Sequence, residues 1–282
     1  MQPKHLIAMS FAILGALCAL PGRAETFTFA GHQIILEPPK GYCALDAGRP
    51  REKAIIDSQA ALQATYNEVA MVYADCADLE KLRSGEATRL DNMGAFQIAK
   101  NAGSVMVVKG LDRRAYLDEA ARSMPRIDPS EIVSQVSTRS KGLGGGAVNV
   151  DKFGLIGQDE SAMYVGGLAT LILPDGSSLP KVAVNAMTLI DALGVSMSIG
   201  RLSTDENDIK TLLAAQHDNV VALIKANAAV DATATAPEGG GFNGGQVLHA
   251  AIVGGLIGGG VGLIMMLVRR LSKRRAAGTP EN

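Results

Sequence analysis

The sequence predicts an α+β body, an antiparallel sheet flanked by helices as an α/β/α sandwich, followed by one C-terminal transmembrane helix. Three observations carry this prediction. Strand-like runs between 148 and 199 are joined by turns too short for parallel crossovers. An amphipathic run after Ser203 has the helical period, and the stretch 247–268 is apolar and free of Asp, Glu, Lys and Arg.

The first 24 residues read as a signal peptide. Lys4 and His5 form a short polar start, 6–20 is apolar, and Pro21-Gly22 breaks the helix. Gly22 and Ala24 supply the small residues of a cleavage site, so the mature chain is expected to begin near Glu25. The exported body then spans 25–228. Residues 26–36 read as a hairpin around Gly31-His32, ended by Pro38-Pro39 and Gly41. Pro50 suits the first turn of a helix through Ile55, Ile56, Ala60 and Leu62. Strands are expected at 69–74, 96–98 and 104–108, and short helices at 112–124 and 129–138.

The clearest stretch is 148–201, with strands at 148–156, 162–173, 182–190 and 195–199. Gln158-Asp159-Glu160, Pro174-Asp175-Gly176 and residues 191–194 are the turns between them. Both faces of 182–190 are apolar, which predicts burial on both sides. Ser196 and Ser198 alternate with Val195, Met197 and Ile199, which predicts a half-exposed strand. Ser203 and Glu206 form a capping box for a last helix whose apolar face holds Ile209, Leu212, Leu213, Val220, Leu223 and Ile224. Residues 229–246, with Gly239-Gly240-Gly241 and Gly244-Gly245, read as a flexible linker.

At about 1.5 Å per residue, 247–268 is long enough, at roughly 33 Å, to cross a hydrocarbon core of about 30 Å. Arg269, Arg270, Lys273, Arg274 and Arg275 follow at once, in a tail 269–282 that the positive-inside rule holds in the cytoplasm and that can meet anionic lipid. Ala250, Gly254, Gly258 and Gly262 recur every four residues, a small-residue face for packing against a second copy or another membrane protein. The expected placement is a bacterial inner membrane, with the body periplasmic. No Asn of the mature chain opens an Asn-x-Ser/Thr sequon, in keeping with a bacterial envelope.

Residues 25–246 carry 20 Lys plus Arg against 27 Asp plus Glu, a formal net charge of −7. That sign argues against a nucleic-acid partner. Cys43 and Cys76 remain after removal of Cys18, an even pair that in an oxidising compartment reads as a disulfide. The order of an antiparallel sheet between an early and a late helix, with Gly41-Tyr42 after a Pro-rich strand end, resembles the PsbP-like α/β/α sandwich over about residues 26–228. Such folds mostly serve as binding or assembly accessories, which is what the resemblance implies here.

The sequence points to no catalytic, cofactor-binding or metal residues. His32 and His217 are the histidines of the exported body and lack a ligand cluster at metal spacing. No Gly-x-Ser-x-Gly elbow marks a nucleophile. Gly142-Leu143-Gly144-Gly145-Gly146-Ala147 fits a dinucleotide fingerprint by letter, but a helix precedes it and a strand follows, the reverse of the required order. Asp75, Asp78 and Glu80 lack the spacing of a calcium loop. The expectation is therefore a membrane-tethered binding or accessory module, self-associating or part of an envelope complex. The alternatives are a tethered hydrolase with scattered residues, and a signalling protein reporting through its tail.

Overall fold

Local turn chemistry sets the opening of the chain. In the computed structural model, which describes residues 24–123, 129–142, 146–173 and 175–231, β1 (Glu25–Phe29) and β2 (His32–Leu36) form a hairpin. Its turn residues Ala30 and Gly31 have φ of 50° and 88°, the primed turn that matches strand twist, one position earlier than the sequence suggests. β3 (Tyr42–Ala44) follows the proline pair, and α1 (Pro50–Gln63) begins on a proline at its first turn. β4 (Asn67–Asp75) leads directly into α2 (Cys76–Ser84), a helix not expected from the sequence. The Asp75 side chain accepts from the N–H groups of Ala77 and Asp78, and Gly85 ends the helix at φ 87°.

The remaining elements are β5 (Asn92–Asn101), β6 (Ser104–Val105), α3 (Arg113–Ser123), α4 (Pro129–Gly142), β7 (Ala147–Gln158), β8 (Met163–Ile172), β9 (Ser178–Ile190), β10 (Leu193–Leu202), α5 (Asn207–Ala226) and α6 (Ala228–Asp231). The strands of the main sheet run β3-β4-β5-β10-β9-β8-β7, with β6 beside β5, and every pair is antiparallel. β10 lies at its centre, between β5 and β9. Asp191 and Ala192, with φ of 43° and 62°, turn β9 into β10. At Gly94 the strands approach so closely that a Cβ would sit 1.9 Å from the Ser198 carbonyl oxygen, which accepts from the Tyr73 hydroxyl at 2.8 Å.

The sheet is covered on both faces. On one, the hairpin and α5 bring Ile34, Leu36, Leu212 and Leu223 onto Phe96, Val184, Val195 and Met197. On the other, α3 packs Tyr116, Leu117 and Ala120 with Met163, Val165, Met187 and Leu189. α1 and α2 pack Ile55, Leu79 and Leu82 with Val72, Ala74, Met93 and Ala95. This second cover corrects the half-exposed reading of β10: Ser196 and Ser198 are buried at 4% and 0% exposure. The Ser198 hydroxyl reaches the backbone of Ala95, so a short polar side chain is satisfied inside the core. The capping box is corrected as well. The Ser203 hydroxyl accepts from Asp205 N–H, Asp205 accepts from Asn207 N–H, and α5 starts only after Glu206.

Among the described residues no helix is long and apolar enough to cross a membrane. α5, 20 residues long, carries Asp208, Lys210, Asp218 and Lys225 along its length and is amphipathic. The expected C-terminal transmembrane helix is corrected accordingly. Its residues, 247–268, lie outside the described part, and the structure supports neither a membrane span nor the single-pass inner-membrane placement built on it. The small-residue face at Ala250, Gly254, Gly258 and Gly262 and the basic cluster from Arg269 to Arg275 lie outside the described residues too, as does the signal sequence up to position 23.

Candidate binding groove

Two segments far apart in the chain face each other across a cavity of about 600 Å³, within the range of small-molecule and peptide side-chain sites. One wall is the β2–β3 connection. Pro38 and Pro39 are buried and fix the path of the chain, and Gly41 takes φ 85°. Tyr42 N–H closes the turn on the Pro39 carbonyl at 2.8 Å, and Cys76 N–H ties it to the Gly41 carbonyl at 3.0 Å. The opposite wall is a stripe of α5 in which Asp218, Ala222 and Ala226 recur at i, i+4, flanked by Asn219 and Leu223. Ala222 and Ala226 are small and exposed, which keeps the cleft open. Ile35 and Met197 also line it.

Both walls are pinned. Cys43 and Cys76 are joined by a disulfide and line the groove, fastening β3 to the first residue of α2. Asn227, fully buried just after α5, exchanges two hydrogen bonds with the backbone of Ile35 and donates to the Leu223 carbonyl at 2.9 Å. The wall is therefore preorganised, and a ligand entering it orders little further chain.

The polar groups are few. Glu37, Lys40 and Asp218 are exposed charges that line the groove, with Asn219 beside them. The Tyr42 ring meets Tyr73 edge-on at 5.7 Å, and Tyr73 meets Phe96 at 5.3 Å, so the aromatic lining continues into the core. Burial pushes the Tyr42 phenol up from its ordinary value; Arg201 opposes this, and Asp75 and Asp78 add to it. Tyr42 is therefore a neutral phenol at physiological pH, able to donate or accept a hydrogen bond.

The histidines serve elsewhere. His32 Nδ1 lies 3.3 Å from Asp191, joining the hairpin turn to the β9–β10 turn. His217 Nε2 lies 3.5 Å from Asp159, which accepts from the Tyr164 hydroxyl at 3.1 Å and from the N–H groups of Ser161 and Ala162. That cluster ties the β7–β8 turn to α5. Neither histidine has a Ser, Thr or Cys nucleophile at hydrogen-bond distance among the described residues. Asp75 is occupied as the α2 cap, and Asp78 accepts from Asn92. Of the Gly142–Ala147 segment, positions 143–145 lie outside the described residues. Neither the groove nor the Asn227 clamp is legible in the sequence. The Pro38-Pro39 and Gly41-Tyr42 steps were visible signals, but nothing in the sequence pointed to their meeting α5.

No family model and no curated protein matches the chain. Among solved structures it is similar to the Saccharomyces cerevisiae Ran-binding protein Mog1p, at 15% identity over 76% of this chain and 100% of that one, with a TM-score of 0.25. A point mutant of Mog1 gives 14% identity over 73% and 94%, again with a TM-score of 0.25. The similarity found is to Mog1 folds, with no PsbP-like match, so the PsbP-like resemblance drawn from the sequence is corrected. A TM-score of 0.25 is too low to assign a shared fold or function.

Proposed function

We propose that this chain is a binding or accessory module whose recognition site is the groove between α5 and the 37–43 wall. The observation that carries the reading is an open, largely apolar cleft whose two walls are locked by the Cys43–Cys76 disulfide and the Asn227 clamp. A fold that served only itself would have no need to hold such a cleft rigid and unfilled, because packing it with larger α5 side chains would add buried apolar area. The fitting ligand has an apolar body, for contact with Ile35, Met197, Ala222 and Leu223. It carries a polar head for the Tyr42 hydroxyl and the Asp218 and Asn219 side chains. A side chain or short segment of a protein partner meets that description, as does a small amphiphile.

Thermal-shift screening of small apolar amines and amides tests the reading. Compounds that raise the midpoint of the native protein should lose their effect in Ala222→Trp, which fills the cleft from an exposed position of α5. A stabilising compound that acts equally on both proteins binds elsewhere and contradicts the assignment. No described observation favours the hydrolase alternative.

A further inference from the structure

β7 ends the main sheet, pairing with β8 on one side and, among the described residues, with no strand on the other. An open edge of this length is a template for another strand. At its start the edge is closed by α4: the Ser137 hydroxyl donates to the Val148 carbonyl at 3.0 Å and accepts from Val148 N–H at 3.1 Å. Beyond Val148 the register is interrupted between Val150 and Lys152, a bulge with Asp151 as the extra residue.

That bulge gives the edge an unusual symmetry. Val148, Val150 and Phe153 pack into the core on the α3 side. Lys152 reaches Glu206, just before α5, at 2.5 Å, and Asp151 accepts from Thr170 at 3.1 Å; both face the α5 side. Asn149 and Gly154 fall on that same side by the pleat. Read outward from the Asp151–Lys152 midpoint, the faces therefore repeat in mirror order. Two copies related by a two-fold axis through that midpoint would place Val150 beside Phe153 and Asn149 beside Gly154 across the junction. Asp151 would stand opposite Lys152 twice.

We infer that the β7 edge is a self-association surface, and that a second copy of this chain adds antiparallel to residues 149–154 about the Asp151–Lys152 bulge. The occupant is identified by self-complementarity: like faces meet like faces, and each charge meets its opposite. A two-fold contact needs one patch that satisfies itself in this way. Asp151 and Lys152 keep their contacts to Thr170 and Glu206 at the rim, so neither charge is stranded.

Sedimentation equilibrium of the purified full-length protein, with a charge-reversal cycle, tests this. Asp151→Lys sets Lys against Lys, and Lys152→Asp sets Asp against Asp. Each should weaken the dimer at least about tenfold, and the double swap should restore it. A second readout is Asn149→Cys with Gly154→Cys in one chain, oxidised under native conditions. The two positions are roughly 17 Å apart in their own strand and cannot bond within it. A Cβ at Gly154 meets nothing within 4 Å, so the variant should fold. Disulfide-linked dimer is the expected product. A wild-type monomer at every concentration, a dimer insensitive to both single reversals, or an oxidised variant that stays monomeric would each overturn the inference.

Discussion

The side chain of Asn227 and the backbone of Ile35, 192 residues apart, close a two-bond ring: Ile35 N–H donates to Oδ1 at 2.7 Å and Nδ2 donates to the Ile35 carbonyl at 2.8 Å. The ring is how a hairpin outside the main sheet is held against α5. It also satisfies one edge of β2, which would otherwise sit unpaired against the helix. Asn227→Ala removes both bonds and leaves half-buried Ile35 backbone groups without these partners, at a cost of about 2–3 kcal/mol. Denaturant unfolding should show this loss, and hydrogen exchange should show early opening of residues 25–36 while β8 to β10 stay protected.

The Cys43–Cys76 disulfide closes a sequence separation of 33 residues that contains α1 and all of β4. In the chain-entropy model such a loop contributes about 3–4 kcal/mol. Replacing both cysteines with Ala should lower the unfolding free energy by that amount and leave the sheet intact, as read by denaturant titration and far-UV circular dichroism. Because β3 pairs with β4 over only three residues, the same variant should bind groove ligands more weakly.

Lys181 stands on β9 between Leu202 and Ala169, 4% exposed. Burial pulls its ammonium down to about 7, against a smaller opposing effect of Asp91. The sign of the resulting pH dependence is definite. Between pH 7 and the ordinary lysine value near 10.5, the unfolded chain holds more protons than the folded one, so stability rises with pH across that window. Below pH 7 the penalty of burying the charge is present in full. Lys181→Met should therefore stabilise the protein by on the order of a few kcal/mol at pH 6, with the advantage shrinking towards pH 10. Buried Tyr73 and Tyr116, with phenols raised by burial, act in the opposite sense only above pH 10. Urea midpoints of both proteins from pH 6 to 10 make the comparison; a gap that does not change with pH would contradict the assignment.

The sequence was most legible where structure is local. The four runs from 148 to 199 became β7 to β10 because alternation and two- to five-residue turns determine antiparallel neighbours without reference to the rest of the chain. It misled where a short polar side chain has two uses. Ser196 and Ser198 read as solvent-facing yet are buried on the second, helix-covered face of the sheet. Ser203 reads as a helix cap yet holds a turn that precedes the helix. α2 was missed because its start depends on Asp75 turning back to cap it, straight after a strand. The groove was illegible for a different reason: its walls, 37–43 and 218–226, are juxtaposed by the sheet between them, and no periodicity links them.

Occupation of the groove by a ligand is open to direct test. The most direct measurement is ¹H–¹⁵N correlation NMR of the protein titrated with a library of small apolar amines and amides, followed by the same titration of Ala222→Trp. Shifts should cluster on Tyr42, Cys43, Asn219 and Leu223, saturate in the native protein and vanish in the variant. Shifts that cluster away from α5 and the 37–43 wall, or that persist unchanged in Ala222→Trp, would contradict it.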